Sequence, residues 1–353
     1  MAPLRATLEQ LRRHRNDVSD HPETRGARPD LTLAKHQLRD WFEQRLARVS
    51  QMLGAAWDEN ATNRELQDAL AGLSCPDGCV TSALGFVDPV RLHRESEFLI
   101  VQTSVGIRCG YDDSAYVYRW NSRGNGRVWR RIFEAEQNVY TKTGYRPQTI
   151  YAVRISPPGS NGKRLVLTLG TRPGCSGAFQ PFYYKIWALE TAPHSRPKML
   201  LDAVETAYVG DYPPVKGTVS ANDVRIEFTA GGTGYGSGHR AVRHFEVRGT
   251  ALKQVEPIAP TPRDFVEEWL SASWKQSAPL SESSSLESWH RKLHRDDGTG
   301  DFPDPTLECA NDPELRQIGI RLHGIPAETF YLVRWRQPDR FTMVDIAEHP
   351  LCK

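Results

Sequence analysis

Between two strongly apolar stretches lies Arg108-Cys109-Gly110-Tyr111-Asp112-Asp113-Ser114, the densest cluster of polar side chains among the strand-like segments. Adjacent carboxylates on a loop can bind a cation, and beside Arg108 one of them can serve as acid or base, with Tyr111 at hand for a ligand. The same run also suits an ordinary turn, because Asp bonds its own backbone there. A second candidate is the glycine-rich run from Gly231 to Gly238, which leads into His239 and Arg240. A phosphate cradle needs such glycines to open a helix whose N-terminal amides hold the anion. An alternating strand follows instead, so nucleotide binding is excluded. A hairpin loop remains, placing Tyr235, His239 and Arg240 where they can touch a ligand. Third, His290 and His294 stand one helical turn apart, a spacing that can chelate one metal. No glutamate lies between them, so this is not a metalloprotease helix. Asp296, Asp297 and Asp301 follow in a run similar to a calcium loop but lacking its final bidentate acid. Asp296 thus joins the two histidines as a candidate metal ligand. No cofactor is implied beyond a structural calcium ion. An exposed helix end with cations near its C-terminus explains the same residues without a metal.

No Gly-x-Ser-x-Gly elbow is present, and no cysteine sits in a nucleophile context. The six cysteines are even in number. Cys75 and Cys79 bracket a Pro-Asp-Gly turn, Cys109 and Cys175 each follow an apolar strand, and Cys309 and Cys352 flank the last β-segment group. They are either six unpaired small residues or three bridges in those pairs, and the bridges would place the protein outside the cytosol. Zinc fits poorly, since Cys75-x3-Cys79 has no second ligand pair nearby.

The elements that must carry these groups are read from period. Residues 1–30 are polar and hold Pro3, Pro22 and Pro29, so they are expected to be loosely ordered. A helical region is expected over 31–79. Leu38, Trp41, Phe42, Leu46, Val49 and Leu53 recur at three and four, an amphipathic helix. Thr62-Asn63-Arg64-Glu65 matches a capping box, predicting a second helix from Glu65 to Leu73. Beyond Val80 the period becomes two, and a β-domain is expected over 80–350. Four groups of four short strands appear. They are Gly85–His93, Phe98–Val105, Ser114–Trp120 and Arg127–Glu134, then Thr149–Ser156, Arg164–Leu169, Phe182–Leu189 and Pro197–Ala203. The third is Ala207–Val219, Val224–Thr229, Ala241–Arg248 and Leu252–Pro257. The fourth is Pro305–Cys309, Gln317–Leu322, Phe330–Arg336 and Arg340–Ala347. A helical insertion over 261–300 separates the last two, opened by Thr261 as N-cap and Pro262 at the first helical position.

The third strand of three groups carries Tyr-x-x-x-Trp: Tyr116 to Trp120, Tyr183 to Trp187, and Tyr331 to Trp335. Residues four apart share a strand face, so these aromatics are expected to be buried between sheets. The third group, Val242 to Glu246, lacks both. In these four-stranded units and aromatic third strands the region resembles β-propeller repeat proteins, without the Gly-His and Trp-Asp signatures of WD40 blades. The resemblance implies a mainly β fold: four antiparallel four-stranded meanders forming a small, four-bladed β-propeller with flanking and inserted α-helices. Over roughly residues 31 to 350 the chain also looks like uncharacterised bacterial exported proteins, from which no catalytic residues carry over.

Net charge is +2 over 353 residues, so nothing favours nucleic acid. No 18-residue apolar run spans a membrane. Met1 to Asn16 lacks an apolar signal core, so a periplasmic or extracellular place competes with a cytoplasmic one. The function expected is a non-catalytic binding or scaffold protein of the cell envelope or exterior, whose loops contact a protein, glycan or small ligand. The alternative is a glycan or ester hydrolase in which Asp112, Asp113 and His239 meet at the propeller mouth.

Overall fold

The computed structural model describes residues 1–14, 27–53, 58–74, 84–107, 110–121, 128–136, 147–160, 162–172, 179–190, 196–208, 215–231, 238–248, 251–294, 300–301, 306–322, 328–336 and 339–352. The chain divides into two compact units, one made of residues 1–177 and 182–203, the other of 178–181 and 204–353.

The first unit opens with helices α1 (Ala2–Arg13), α2 (Ala27–Leu53) and α3 (Glu59–Leu70). Residues 2–13, within the stretch expected to be loosely ordered, thus form helix α1. Pro3 sits in the first turn of α1, where a missing N–H costs nothing. Leu4, Leu8 and Leu11, spaced three and four apart, are buried. The start of α3 also differs from the capping-box expectation. Asp58 caps it, accepting from the amides of Asn60 at 2.9 Å and Ala61 at 3.1 Å. Thr62 lies inside the first turn, its hydroxyl donating to the Asp58 carbonyl at 2.8 Å. An aspartate one turn upstream satisfies the free amides first.

Strands β1 (Val87–Glu95), β2 (Phe98–Ile107), β3 (Gly110–Asn121) and β4 (Val128–Ala135) form one antiparallel meander. Strand β2 is buried on both faces, which explains its unbroken run Phe98-Leu99-Ile100-Val101. Leu99, Val101, Tyr116 and Tyr118 face the buried leucines of the helices and Phe42. Phe98, Ile100, Val117 and Phe133 face Ile150, Val153 and Val166 of the second meander. That meander is β5 (Thr149–Ile155), β6 (Arg164–Thr171), β7 (Phe179–Leu189) and β8 (Lys198–Tyr208). Helix α1 is pinned where Gly85, at φ 76°, passes under it: a Cβ there would lie 2.6 Å from the Leu8 carbonyl. Arg12 seals the contact, its Nε donating to the Gly85 carbonyl at 3.1 Å.

In the second unit, β9 (Val215–Val219), β10 (Asp223–Ala230), β11 (His239–Arg248) and β12 (Ala251–Val255) form a third antiparallel meander. Ala207, at the end of β8, pairs with Ala230 of β10. Helices α4 (Pro262–Ser271), α5 (Trp274–Ser277) and α6 (Leu286–Leu293) follow. Thr261 caps α4 as expected, accepting from the Asp264 amide at 3.2 Å with Pro262 beside it. The last strands are β13 (Gly300–Asp301), β14 (Leu307–Cys309), β15 (Asp312–Leu322), β16 (Thr329–Arg336) and β17 (Arg340–Ala347). Phe265, Trp269 and Leu286 of the helices pack on Ile318, Tyr331, Phe341 and Met343.

The fold is thus mainly β, with every meander antiparallel. The tyrosines of the Tyr-x-x-x-Trp strands are buried: Tyr116 and Tyr331 at 0% exposure and Tyr183 at 5%. Their tryptophan partners, Trp120, Trp187 and Trp335, are half-buried. Tyr183 lies over Gly170, its cross-strand partner, where a Cβ would strike the ring.

Cys309 and Cys352 are joined, with Cα atoms 5.1 Å apart across 43 residues. Cys75, Cys79, Cys109 and Cys175 lie outside the described residues. Reduction, or Cys352→Ser, is expected to cost about 4 kcal/mol on the loop-entropy account. Unchanged denaturant midpoints with and without reductant would refute this.

Candidate functional site

Tyr111, Asp112 and Asp113 are part of a strand, β3, rather than a loop; Arg108 and Cys109 lie outside the described residues. Alternation along β3 sends the two carboxylates to opposite faces. Asp112 meets Lys35 of α2 at 3.2 Å, with both side chains fully buried, and accepts from the Gln148 amide at 3.2 Å. Asp113 accepts from the Ile150 amide at 2.7 Å. Its own amide donates to the Gln148 carbonyl at 2.7 Å. The pair is a double staple holding β3 to α2 and to the start of β5, not two groups converging on a substrate or cation. Burial pushes the Asp113 carboxyl up to about 7. Tyr111 is half-buried, and its carbonyl accepts from the Thr149 hydroxyl at 3.4 Å.

His239 is internal as well. Its Nε2 lies 2.8 Å from Glu268 and its Nδ1 3.6 Å from Glu267, both on α4, and only 4% of it is exposed. Arg240 is exposed, its amide donating to Asp264 at 2.9 Å and its guanidinium to Glu227 at 3.3 Å. Tyr235 lies outside the described residues. The buried glutamates went unseen in the sequence because nothing in Phe265-Val266-Glu267-Glu268-Trp269-Leu270 marks the acids as turned inward.

His290 and His294 have a structural task. His290 Nε2 bonds the Trp269 carbonyl at 3.1 Å and His294 Nδ1 the Leu270 carbonyl at 2.6 Å. The Ser277 hydroxyl also donates to the Trp269 carbonyl, at 2.9 Å. These carbonyls belong to the last turn of α4 and have no partner within the helix. The two imidazoles stack with centroids 5.1 Å apart and cap the end of α4 through these bonds. Asp296 lies outside the described residues. Among the described residues no three His, Cys, Asp or Glu side chains are grouped to hold an ion.

What the structure does build is a groove on the first unit, between α2 and strands β3 and β4. Lys35, Arg39 and Glu43 form one polar stripe of α2 at i, i+4 spacing. Each meets the sheet. Lys35 takes Asp112, and Arg39 reaches Glu136 at 3.4 Å, where the Tyr116 hydroxyl also donates at 2.8 Å. Glu43 accepts from the Tyr118 hydroxyl at 3.1 Å and pairs with Arg131 at 3.0 Å. The stripe opens into a cavity of about 470 Å³ lined by Glu43, Leu46, Ala47, Tyr118, Trp129, Arg130 and Arg131. Trp129 is steadied edge-on by Trp120, centroids 5.2 Å apart. Burial and the neighbouring Glu43 raise the Tyr118 phenol well above its usual range, so it stays a hydroxyl donor. Aromatic surface beside fixed donors and acceptors in a concave place is the make-up of a small-ligand site. Loops drew attention in the sequence, yet this groove rests on a helix and two strands. The Lys35, Arg39, Glu43 stripe and the Tyr116, Tyr118 alternation are its traces in the sequence.

No family model matches the chain, and no curated protein matches it. Among solved structures, the crystal structure of alpha-L-arabinofuranosidase from Lactobacillus brevis is similar at 11% identity and a TM-score of 0.25, covering 78% of this chain and 81% of that one. So weak a likeness decides nothing about this chain, and its function is argued from its own side chains.

Proposed function

We propose that the protein is a non-catalytic binding module of the cell envelope or exterior that takes a small ligand or the end of a glycan in the groove between α2 and strands β3 and β4. The observation that carries this is the groove's lining: the half-buried Trp129 beside a Tyr118, Glu43 and Arg131 network already fixed in place. An aromatic face stacks on an apolar ring face, while planar charged groups whose rotamers are locked bond hydroxyls at little entropic cost. Glycosidic hydrolysis needs two carboxylates flanking the bond. Among the described residues that line the groove, Glu43 is the one carboxylate, and it is held between a phenol and a guanidinium. The Cys309 to Cys352 bridge supports an oxidising compartment. A small propeller remains the proposed arrangement of the meanders, although β8 and β10 bond one another at Ala207 and Ala230 instead of ending separate blades; an experimental structure would test its closure.

Titration of the purified protein against a panel of neutral and acidic oligosaccharides, followed by calorimetry, tests the groove. Micromolar to millimolar binding is expected, weakened roughly tenfold or more in Trp129→Ala. Glycan binding that survives unchanged in both Trp129→Ala and Arg130→Ala, or none at all in the parent, would reject the site.

A further inference from the structure

A second buried polar cluster, independent of the groove, lies in the second unit where the start of β11 meets α4. His239 and Arg243 come from β11, Glu267 and Glu268 from α4, and Glu205 from the end of β8. Arg243 bonds Glu268 at 2.7 Å and Glu205 at 2.5 Å. His239 sits between the two α4 glutamates. Around them, Arg263 reaches Glu267 only at 3.9 Å and is half exposed. Asp264 is engaged by the Arg240 amide, and Glu227 by Arg225 and Arg240. Among the described residues, Arg243 pairs with Glu268 and Arg263 stands at 3.9 Å from Glu267, while His239 lies directly between the two carboxylates. Two buried like charges so close are costly unless the imidazole between them holds a proton.

We propose that one proton, held by His239 between Glu267 and Glu268, fastens the start of β11 to α4, and that its loss above neutral pH unfastens this contact while the rest of the unit stays folded. Geometry supplies the separation. Phe265, Val266, Trp269 and Leu270 anchor α4 in its own apolar core, and its last carbonyls are capped by His290 and His294. The start of β11 meets α4 through polar groups: His239 on Glu267 and Glu268, the Arg240 amide on Asp264 and, further along the strand, Arg243 on Glu268.

The titrations run in the required direction. Burial alone would lower the His239 imidazole, but Glu268 and Glu267 outweigh it and its pKa stands above the ordinary value. Burial pushes Glu267 up to about 7 against the pull of His239 and Arg263. Both raised groups favour the protonated fold, so their contribution is present in acid and is lost as pH climbs through their folded values. Burial would raise Glu268, but Arg243 and His239 overcome it and hold it below the usual range, so it stays charged through the window.

Amide hydrogen exchange of the full chain, corrected for intrinsic rates, tests the latch between pH 5.5 and 8.5. Segments 239–243 and 263–268 are expected to lose protection on the order of tenfold across that range. Segment 341–346, in the apolar core, should not follow them. Glu267→Gln removes the titrating acid while keeping its shape, and should hold protection at pH 8.5. Histidine ring-nitrogen shifts in the same protein should show His239 protonated at pH 6. Equal pH profiles in parent and Glu267→Gln, parallel loss at 341–346, or a His239 ring already neutral at pH 6 would each overturn the proposal. Should His239→Gln fail to fold, Glu267→Gln and the ring shifts still decide.

Discussion

Asp113→Asn is expected to stabilise the protein at pH 8 by about 4 kcal/mol and to leave it nearly unchanged at pH 4. The carboxyl is buried, and burial lifts it to about 7 from an ordinary aspartate value. In the folded state it keeps its proton over a range where the unfolded chain has already lost it. Stability therefore falls as pH rises from about 4 to about 7 and levels off above. Asparagine preserves the backbone contact, because its amide oxygen can still accept from the Ile150 amide, now 2.7 Å from Asp113. It carries no charge to bury. Denaturant midpoints of parent and variant at the two pH values check this. A variant less stable than its parent at both would show that the charge itself holds β3 to β5.

Lys35→Met should have the opposite effect, a loss of about 3–5 kcal/mol at pH 7. Lys35 and Asp112 are both fully buried and meet at 3.2 Å. Removing one partner strands the other charge in a place without water, which costs more than the pair itself contributes. Lys35→Met combined with Asp112→Asn should recover a large part of the loss, since the stranded charge is then gone and the Gln148 amide keeps an acceptor. Denaturation of the three variants forms the cycle. If the double variant is as unstable as the single one, the packing of the lysine stem rather than charge decides.

How far the sequence carries can be judged from particular elements. The period-two segments from Val87 onward, the Thr261 cap with Pro262, and the apolar positions Leu38, Phe42 and Leu46 all depend on local repetition, which the chain order itself contains. So did the Cys309 to Cys352 bridge, since ends flanking one meander must return close together. Helix α1 was legible too, in Leu4, Leu8 and Leu11, but prolines drew the reading toward disorder. The roles of the charged groups were not legible. Asp112 and Asp113 look like a reactive pair when adjacent in the chain, yet strand alternation parts them: Lys35 of α2 pairs with Asp112, while Asp113 accepts from the Ile150 amide of β5. His290 and His294 have chelating spacing, yet the orphan carbonyls of α4, distant in sequence, take their nitrogens. Glu43, Trp129 and Arg131 come within reach only once α2 lies across β3 and β4. Periodicity is a property of neighbours along the chain and survives in sequence. Whether a charge is paired, buried or offered to a ligand depends on which distant group folding sets beside it, and that is decided by tertiary packing alone.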